Sequence, residues 1–297
     1  TTTTARKMLV PDGLLIVDKP GGWTSHDVVA RCRRVCGTRR VGHAGTLDPM
    51  ATGVLVVGVG RATRLLGRLA LADKAYQATV TLGRSTVTDD AEGEVLQARP
   101  TDAVSGESIA AAVADLTGHI EQRPSAVSAV KVAGERAYKR VRAGEDVVLP
   151  ARLVTVSRFE VQGVRRHDGL VDVDVQVECT TGTYVRALAR DLGAALGVGG
   201  HLSMLRRTRV GGYDVTRAQP MGELERQPVV VPLATAAAES FATFQVSREQ
   251  AADVVHGRAF AADLEAAGPV AVFDEAGEFL ALYEQDGPLA KPVAVFV

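Results

Sequence analysis

The chain has 297 residues, 46% of them hydrophobic, which is enough to bury a large core and to divide into two domains. Its apolar runs stay short of the ~18–20 residues that span a membrane, and no signal peptide opens it, so we expect neither a membrane-spanning nor a secreted protein. The net charge of −1 selects no partner, and three cysteines predict neither a disulfide framework nor a zinc site. We expect a cytoplasmic protein without a metal, with a flexible N-terminus over residues 1–12.

The first predicted elements are a strand and a helix joined by a proline turn. Residues 13–19 form an apolar strand, which Pro20 ends because proline lacks a backbone donor. Thr24 or Ser25 then caps a helix that continues to about Cys36.

The loop after this helix is the most informative stretch of the chain. It reads GHAGTLDPMATGVL from Gly42 to Leu55 and places one carboxylate, Asp48, in a turn with almost no other reactive side chain. A buried strand follows over residues 53–59. An acid before a proline is commonly a turn or capping residue, whereas a lone acid on a stiff loop beside a core strand can be a nucleophile or a general base. Both interpretations stay open from these residues.

The rest of the chain predicts further strands and helices. In chain order these are a helical stretch near 61–71, a strand over 75–82, an acidic surface excursion over 84–104, a helix over 105–117, a basic helix over 136–142, a hairpin of strands 154–164 and 170–179, a helix over 184–196, a strand over 201–210, and short strands at 270–273, 279–283 and 293–297. Many strands alternate polar with apolar residues, which favours an α+β fold with a mixed, mainly antiparallel sheet. A shift to acidic, alanine-rich sequence places a boundary near residue 228, with a small β-rich domain after it.

Charge is distributed unevenly along the chain. Residues 219–297 hold twelve acidic and four basic residues, so the preceding part is basic. Its cations cluster within Arg31–Arg40, Lys131–Arg142 and Arg206–Arg209. Such clusters suit a polyanion, because each neutralised phosphate releases counterions, although a solvated arginine-rich face would carry the same residues.

Two further polar residues stand out in apolar or turn-like segments. Tyr76 follows Lys74 at the start of a strand and is either an ordinary strand aromatic or a platform on which a base stacks. Arg186 lies about one turn into a helix and is either a surface residue or a partner for a buried acid.

Together these motifs resemble those of the bacterial tRNA pseudouridine-55 synthases of the TruB type. Besides GHAGTLDPMATGVL, the chain carries KPGGWTSHDVV, KAYQATVTLG and CTTGTYVRALARDLG, in the family's order and with similar spacings over roughly residues 13–212. HLSMLRRTRVGGY is similar to the family's late core strand. The resemblance implies a pseudouridine-synthase-like catalytic domain over residues 13–228, with an RNA-gripping insertion at about 124–152, and a PUA-like domain over 229–297.

The resemblance also implies the site. Asp48 would be the catalytic aspartate, Tyr76 would pack on the target base, and Arg186 would pair with Asp48. A separate hypothesis is that Tyr76 moves a proton at C5. The implied reaction breaks the N-glycosidic bond of uridine 55 in the T arm of tRNA, and the uracil rejoins through C5, without a cofactor or a metal. Residues expected to contact RNA are His43, which would take the space left by the flipped nucleotide, with Lys19, Lys131, Arg136, Lys139, Arg140, Arg206 and Arg207. Supporting residues are Pro20, which with Lys19 would buttress the loop, Gly45, Thr46 and Leu205.

The chain departs from the family pattern where the insertion begins. It reads PSAVSA at residues 124–129 in place of Pro-Pro-x-aromatic-Ser-Ala, so no ring contact is expected there. The basic run after it still suits phosphate contacts, whereas the acidic C-terminal domain is expected to add little RNA affinity. We expect the partner to be the T-arm stem-loop of tRNA and the protein to be a monomer.

Two other classes of function stay open. A non-catalytic RNA-binding or RNA-folding module would use Asp48 only as a cap. A glycoside hydrolase would share the attack on an anomeric carbon, but that chemistry normally needs two carboxyls, and no second acid accompanies Asp48 within its motif. For the synthase, the carboxylate could attack the ribose C1′ or the uracil C6.

Overall fold

The computed structural model describes residues 10–125, 131–132, 135–136 and 149–297, and for the two short pairs it describes the backbone only. These residues fall into two compact units. The first unit contains residues 10–48, 54–70 and 211–297, and the second contains residues 49–53 and the described part of 71–210. The chain passes from the first unit to the second directly after Asp48.

The described chain contains both strands and helices. The strands are β1 (Gly13–Lys19), β2 (Val41–His43), β3 (Thr52–Val59), β4 (Lys74–Leu82), β5 (Arg84–Thr86), β6 (Val95–Ala98), β7 (Gly118–Gln122), β8 (Lys131–Val132), β9 (Glu135–Arg136), β10 (Arg152–His167), β11 (Leu170–Cys179), β12 (Gly200–Val210), β13 (Tyr213–Asp214), β14 (Gln219–Pro220), β15 (Val231–Pro232), β16 (Ala242–Gln245), β17 (Phe260–Ala261), β18 (Val270–Phe273), β19 (Phe279–Asp286) and β20 (Leu289–Val295). The helices are α1 (Ser25–Cys36), α2 (Leu66–Leu69), α3 (Gly106–Asp115), α4 (Val185–Ala195), α5 (Met221–Arg226), α6 (Leu233–Ser240) and α7 (Arg248–Val255), with 3-10 helices at Gly60–Arg64 and Val215–Arg217.

The first unit contains two sheets. In one, β1 lies between β3 and β14, β2 is antiparallel to β3, and β15 is antiparallel to β1. Helix α1 buries a stripe of valines and cysteines at helical spacing in a core that it shares with β1 and β3. The Asp48 loop therefore lies between a helix and a strand that belong to one core.

The other sheet of the first unit is formed by the C-terminal residues. Its strands lie in the order β16-β18-β19-β20-β17 and enclose a separate apolar core with α7. Arg61 donates to the carbonyl of Phe296, and the guanidinium of Arg68 lies 2.9 Å from the carboxylate of Glu284. These contacts join the C-terminal sheet to the segment that contains α2.

The second unit is built on one antiparallel sheet in the order β12-β4-β11-β10-β7, against which α3 and α4 pack. Thr52 and Gly53, the first residues of β3, run parallel to Arg206 and Arg207 of β12. Gly53 has a φ of 99°, and a Cβ there would lie 2.1 Å from the carbonyl oxygen of Arg207. Only glycine permits this close approach of the two backbones.

The predicted α+β class, with a mainly antiparallel sheet and a β-rich C-terminal part, is confirmed, and the predicted elements in the described residues occur with their ends shifted by a few residues. The excursion over 84–104 differs, because Asp89 and Asp90 in its turn are buried. Except for residues 10–12 and 136, the predicted flexible N-terminus (1–12) and basic helix (136–142) lie outside the described residues. No helix in the described part of the chain is long and apolar enough to cross a membrane.

Candidate active site

Asp48 lies at the end of a loop whose backbone is anchored in the first unit. After β2, the amide of Ala44 donates to the carbonyl of Val56 at 2.9 Å. Gly45 then has a φ of 95°, which residues with a Cβ rarely adopt, so a glycine is required where the chain turns. Asp48 itself is partly exposed. The loop thus presents one carboxylate from a backbone with a defined course.

Lys19 closes the turn between β1 and α1. Its ammonium group donates to the carbonyl of Pro20 at 2.9 Å and to that of Trp23 at 2.6 Å, and the residue is completely buried. A buried ammonium satisfies these carbonyls and offers no exposed charge to a phosphate. In this structure Lys19 supports the turn that contains Pro20, and its RNA contact, which would require the ammonium group to become exposed, stays a prediction.

His43, the last residue of β2, is half-buried and packs against a second histidine. Its ring meets that of His26 on α1 edge to face, with centroids 5.7 Å apart and planes at 84°. This is a favoured arrangement for two ring side chains, because the edge of one ring faces the electron-rich face of the other. The orientation of His43 beside the Asp48 loop is therefore set by packing.

In the second unit, Tyr76 shares one face of the sheet with Leu205 and Arg207. Tyr76 on β4 is directly opposite Arg207 on β12 and Val177 on β11, and Leu205 is opposite Ala78, the next residue on the same face of β4. Opposite residues of antiparallel strands have Cβ atoms about 4.5–5.5 Å apart. Tyr76 is 7% exposed. Two predicted site residues, Tyr76 and Leu205, therefore lie together on a buried face.

Arg206 and Arg207 are adjacent but point to opposite faces of β12. Arg207 is 1% exposed, so a contact with a phosphate would require its guanidinium to become accessible, and its RNA contact stays a prediction. Arg206 is half-buried, and its Nη1 donates to Oγ1 of Thr52 at 3.3 Å. Arg206 stays a candidate for RNA contact.

Lys74 adds a second buried cation to the face that carries Tyr76. Its Nζ donates to the carbonyl of Ala72 at 2.7 Å. Burial, together with the positive charge of Arg207, lowers the pKa of Lys74 to about 8. This face therefore disfavours a further positive charge.

Arg186 is the second residue of α4, whose N-terminus is held by Gln122. The Gln122 side chain accepts a hydrogen bond from the amide of Tyr184 at 2.8 Å and donates one to its carbonyl at 3.1 Å. The buried guanidinium of Arg186 donates to the carbonyl of Thr88 at 2.9 Å and lies 3.5 Å from Oδ2 of Asp90. A cation near the positive end of a helix dipole gains from an adjacent acid. Arg186 is thus the partner of a buried acid, and its pairing with the loop aspartate stays a prediction.

The acidic turn at residues 88–91 lies beside Arg186 and was not predicted to belong to the site. The amide of Ala91 donates to the carbonyl of Leu202 at 2.9 Å, and the amide of Leu202 donates to the carbonyl of Asp89 at 3.0 Å, so the turn is fastened to β12. The guanidinium of Arg190 lies 3.2 Å from the Asp89 carboxylate, whose pKa is raised by burial. The sequence signal was weak, because the arginines that meet the two acids lie 96 and 101 residues away.

The remaining predicted site residues are described only in part. Lys131 and Arg136 lie on β8 and β9, whose backbones pair antiparallel, while Lys139 and Arg140 lie outside the described residues. Thr46 is exposed. Within the described ranges, no group of three or more His, Cys, Asp or Glu side chains could hold a metal ion.

Three family models match consecutive parts of the chain. The N-terminal domain model of the TruB family pseudouridylate synthases matches residues 33–185, which is more than half of the chain. The chain belongs to this family. The C-terminal domain model of tRNA pseudouridylate synthase B matches residues 186–231, and the C-terminal model of tRNA pseudouridine synthase II matches residues 241–297.

Individual proteins agree with the family models. The chain is 58% identical to tRNA pseudouridine synthase B of Thermobifida fusca (strain YX), over 96% of this chain and 98% of that protein. It is 54% identical to the protein of the same name from Leifsonia xyli subsp. xyli, over 97% of each. It also resembles a chain in the structure of an H/ACA RNP bound to a substrate RNA containing 2′-deoxyuridine, with a TM-score of 0.72 and 25% identity over 96% of this chain and 85% of that chain. The predicted family, fold and enzyme class, a pseudouridine synthase, are confirmed.

Proposed function

We propose that this protein isomerises uridine 55 in the T arm of tRNA to pseudouridine, with Asp48 as its catalytic residue. The observation that carries this proposal is a partly exposed carboxylate at the end of a loop whose backbone is anchored to buried elements. Membership of the TruB family supports it, because relatives at 58% and 54% identity bear the name tRNA pseudouridine synthase B.

The reaction exchanges one bond of the uracil for another. The bond between N1 and C1′ breaks, the uracil turns, and C5 forms a bond to C1′. C5 then loses its proton and N1 gains one, so the atoms balance without a cofactor. Asp48 serves as the nucleophile. Attack at C1′ and attack at C6 both lead to this product.

Three further residues are assigned to the extruded nucleotide and to Asp48. They are Tyr76, Arg186 and His43. A uridine within a folded loop must leave its stack, at a cost of a few kcal/mol. Stacking on Tyr76 offsets part of this cost, because base–aromatic stacking contributes ~1–3 kcal/mol. Tyr76 is also the candidate to take the proton from C5. Arg186 would favour the charged form of Asp48, and His43 would fill the space that the base leaves.

Binding of the T arm is assigned to the basic part of the chain. Arg206 supplies one cation. The predicted insertion at 124–152 supplies four more, Lys131, Arg136, Lys139 and Arg140. The C-terminal domain, placed at 229–297, adds little affinity because its acids outnumber its cations. Affinity should therefore fall steeply with salt, as phosphate contacts release counterions.

We also infer that the protein works in the cytoplasm as a monomer. Its cysteines, Cys32, Cys36 and Cys179, are buried free thiols, which fits a reducing compartment. The monomeric state rests on the family resemblance, and sedimentation would measure it.

The deciding experiment maps pseudouridine by mass in a T-arm stem-loop incubated with the wild-type protein or with Asp48→Asn. We expect one pseudouridine at position 55 with the wild type, and at least ~10³-fold slower formation with the variant, which keeps its affinity for the RNA. A stem-loop with cytidine at that position is the control. Tight binding without product by the wild type would favour the non-catalytic module, and product at another uridine would overturn the T-arm assignment.

A further inference from the structure

Ser25 joins helix α1 to the Asp48 loop. Its hydroxyl accepts a hydrogen bond from the amide of Leu47 at 2.9 Å and lies 3.2 Å from the carbonyl of the same residue, to which it donates. A hydroxyl can do both at once, because it carries one donor and two acceptor lone pairs. Ser25 is 1% exposed, so these bonds do not compete with water. One side chain thus binds both backbone groups of a residue 22 positions away.

The helix does not need Ser25 as its cap. Thr24 fills that position: its Oγ1 accepts from the amide of Asp27 at 3.1 Å, and the Asp27 carboxylate accepts in return from the amide of Thr24 at 2.9 Å. This reciprocal arrangement satisfies two backbone donors at the start of the helix. The adjacent hydroxyls therefore have separate tasks, and that of Ser25 concerns the loop.

Leu47 directly precedes Asp48 in the chain. When both backbone groups of Leu47 are bound, the direction in which the chain enters Asp48 is fixed. The buried side chain of Leu47 adds a second anchor, and α1 is itself held in the core by Val28 and Cys32. Ser25 therefore links the backbone next to Asp48 to a helix that is held in the core.

We propose that Ser25 is a positioning residue for Asp48, holding the carboxylate where it meets the extruded uridine. This inference rests on the proposed function of Asp48. A misplacement of about 1 Å at a reacting group can cost ~10²-fold in rate, although no atom that touches the substrate is removed. Loss of the Ser25 hydroxyl should therefore act on the chemical step and leave RNA binding intact.

The test compares Ser25→Ala with Thr24→Ala in the full-length protein. Both variants lose a hydrogen-bonding hydroxyl at the start of α1, and we expect both to melt about 2–4 °C below the wild type. For Ser25→Ala, the single-turnover rate of pseudouridine formation in the T-arm stem-loop should fall 10–100-fold, with the Kd for the RNA within twofold. For Thr24→Ala, the rate should stay within about threefold of the wild type. If Ser25→Ala does not fold, Ser25→Cys, of similar volume and weaker hydrogen bonding, takes its place.

Two results would overturn the proposal. One is a Ser25→Ala rate within twofold of the wild type, and the other is an equal loss of rate in both variants, which would indicate a general effect of helix stability. The activity of the wild type distinguishes a failure of this proposal from a failure of the proposed function. If the wild type forms no pseudouridine, the function of Asp48 is wrong, whereas an active wild type with an equally active Ser25→Ala contradicts only the role of Ser25.

Discussion

The Asp48 loop and a set of buried charged residues in the second unit are stabilised by different kinds of contact. Hydrogen bonds between neutral groups anchor the loop, residues 44–48, at Ala44 and at Leu47. The other region keeps charged side chains away from water. We call it the buried-charge region, and its members are Lys74, Asp89, Asp90, Arg186 and Arg207. Neutral bonds fix a loop without regard to ionisation, whereas buried charges make stability depend on their partners and on pH.

The difference predicts two classes of variant. Variants in the loop should lower the rate of the reaction with little loss of stability. Variants in the buried-charge region should lower the free energy of unfolding or change its dependence on pH. A loop variant that mainly loses stability, or a variant of the buried-charge region that mainly loses rate, would contradict this distinction.

The largest effect on stability is expected for Arg186→Met. The change leaves Asp90 buried without its cation, and breaking a buried pair in this way typically costs about 3–5 kcal/mol. We expect a loss of this size in urea unfolding, together with loss of pseudouridine formation.

The double variant Arg186→Met with Asp90→Asn is the control for this prediction. It removes both charges, and the Asn side chain can still accept from the amide of Glu92, which donates to Asp90 at 3.1 Å. Stability should therefore recover by more than half, while activity stays absent because the guanidinium is still missing. A double variant as unstable as the single one would show that the unpaired acid is not the cause.

Arg186 and Ser25 also show what the sequence could and could not predict. The strand, helix and loop around Asp48 follow from local signals, since glycines, a proline and capping hydroxyls act within a few residues of where they stand. Which of two adjacent hydroxyls caps α1 depends on Leu47, 22 residues away, so Ser25 and Thr24 could not be told apart. The sequence predicts a surface turn at Asp90, because the arginine that pairs with this acid is 96 residues distant.

A smaller effect is expected from Lys74, and it depends on pH. The pKa of Lys74 is lowered from 10.5 to about 8 in the folded protein. Between these values the unfolded chain holds the proton and the folded protein does not, so stability rises with pH across this window, by on the order of 2–3 kcal/mol. We expect the free energy of unfolding of the wild type, minus that of Lys74→Met, to increase from pH 8 to about pH 10.5.

The difference between the two proteins is the quantity to measure, because the cysteines act in the opposite direction. Burial raises the pKa of Cys32 to about 12, and those of Cys36 and Cys179 to about 11, from 9.0. Above pH 9 the thiols ionise in the unfolded chain first, so they remove stability as pH rises. The contributions of Cys32 and Cys36 are the same in both proteins, whereas the charge of Lys74 lowers the pKa of Cys179, so loss of Lys74 adds to the expected difference. If the difference in free energy of unfolding stays flat or falls from pH 8 to about pH 10, the lowered pKa of Lys74 is contradicted.

The smallest effect on stability is expected for Tyr76→Phe. Tyr76 lies on the face of the buried cations but carries no charge, so this variant separates the effect of location from the effect of charge. The ring remains and only the hydroxyl is lost, so the free energy of unfolding should change by at most about 1 kcal/mol. If Tyr76 takes the proton from C5, the single-turnover rate should fall by ~10²-fold or more with unchanged affinity for the stem-loop. Tyr76→Leu is the matched control, since it should also weaken binding by the ~1–3 kcal/mol of lost stacking. Full turnover by Tyr76→Phe would leave stacking as the role of the ring. A loss of more than about 2 kcal/mol in the free energy of unfolding would show that Tyr76 contributes to stability as the buried charged residues do.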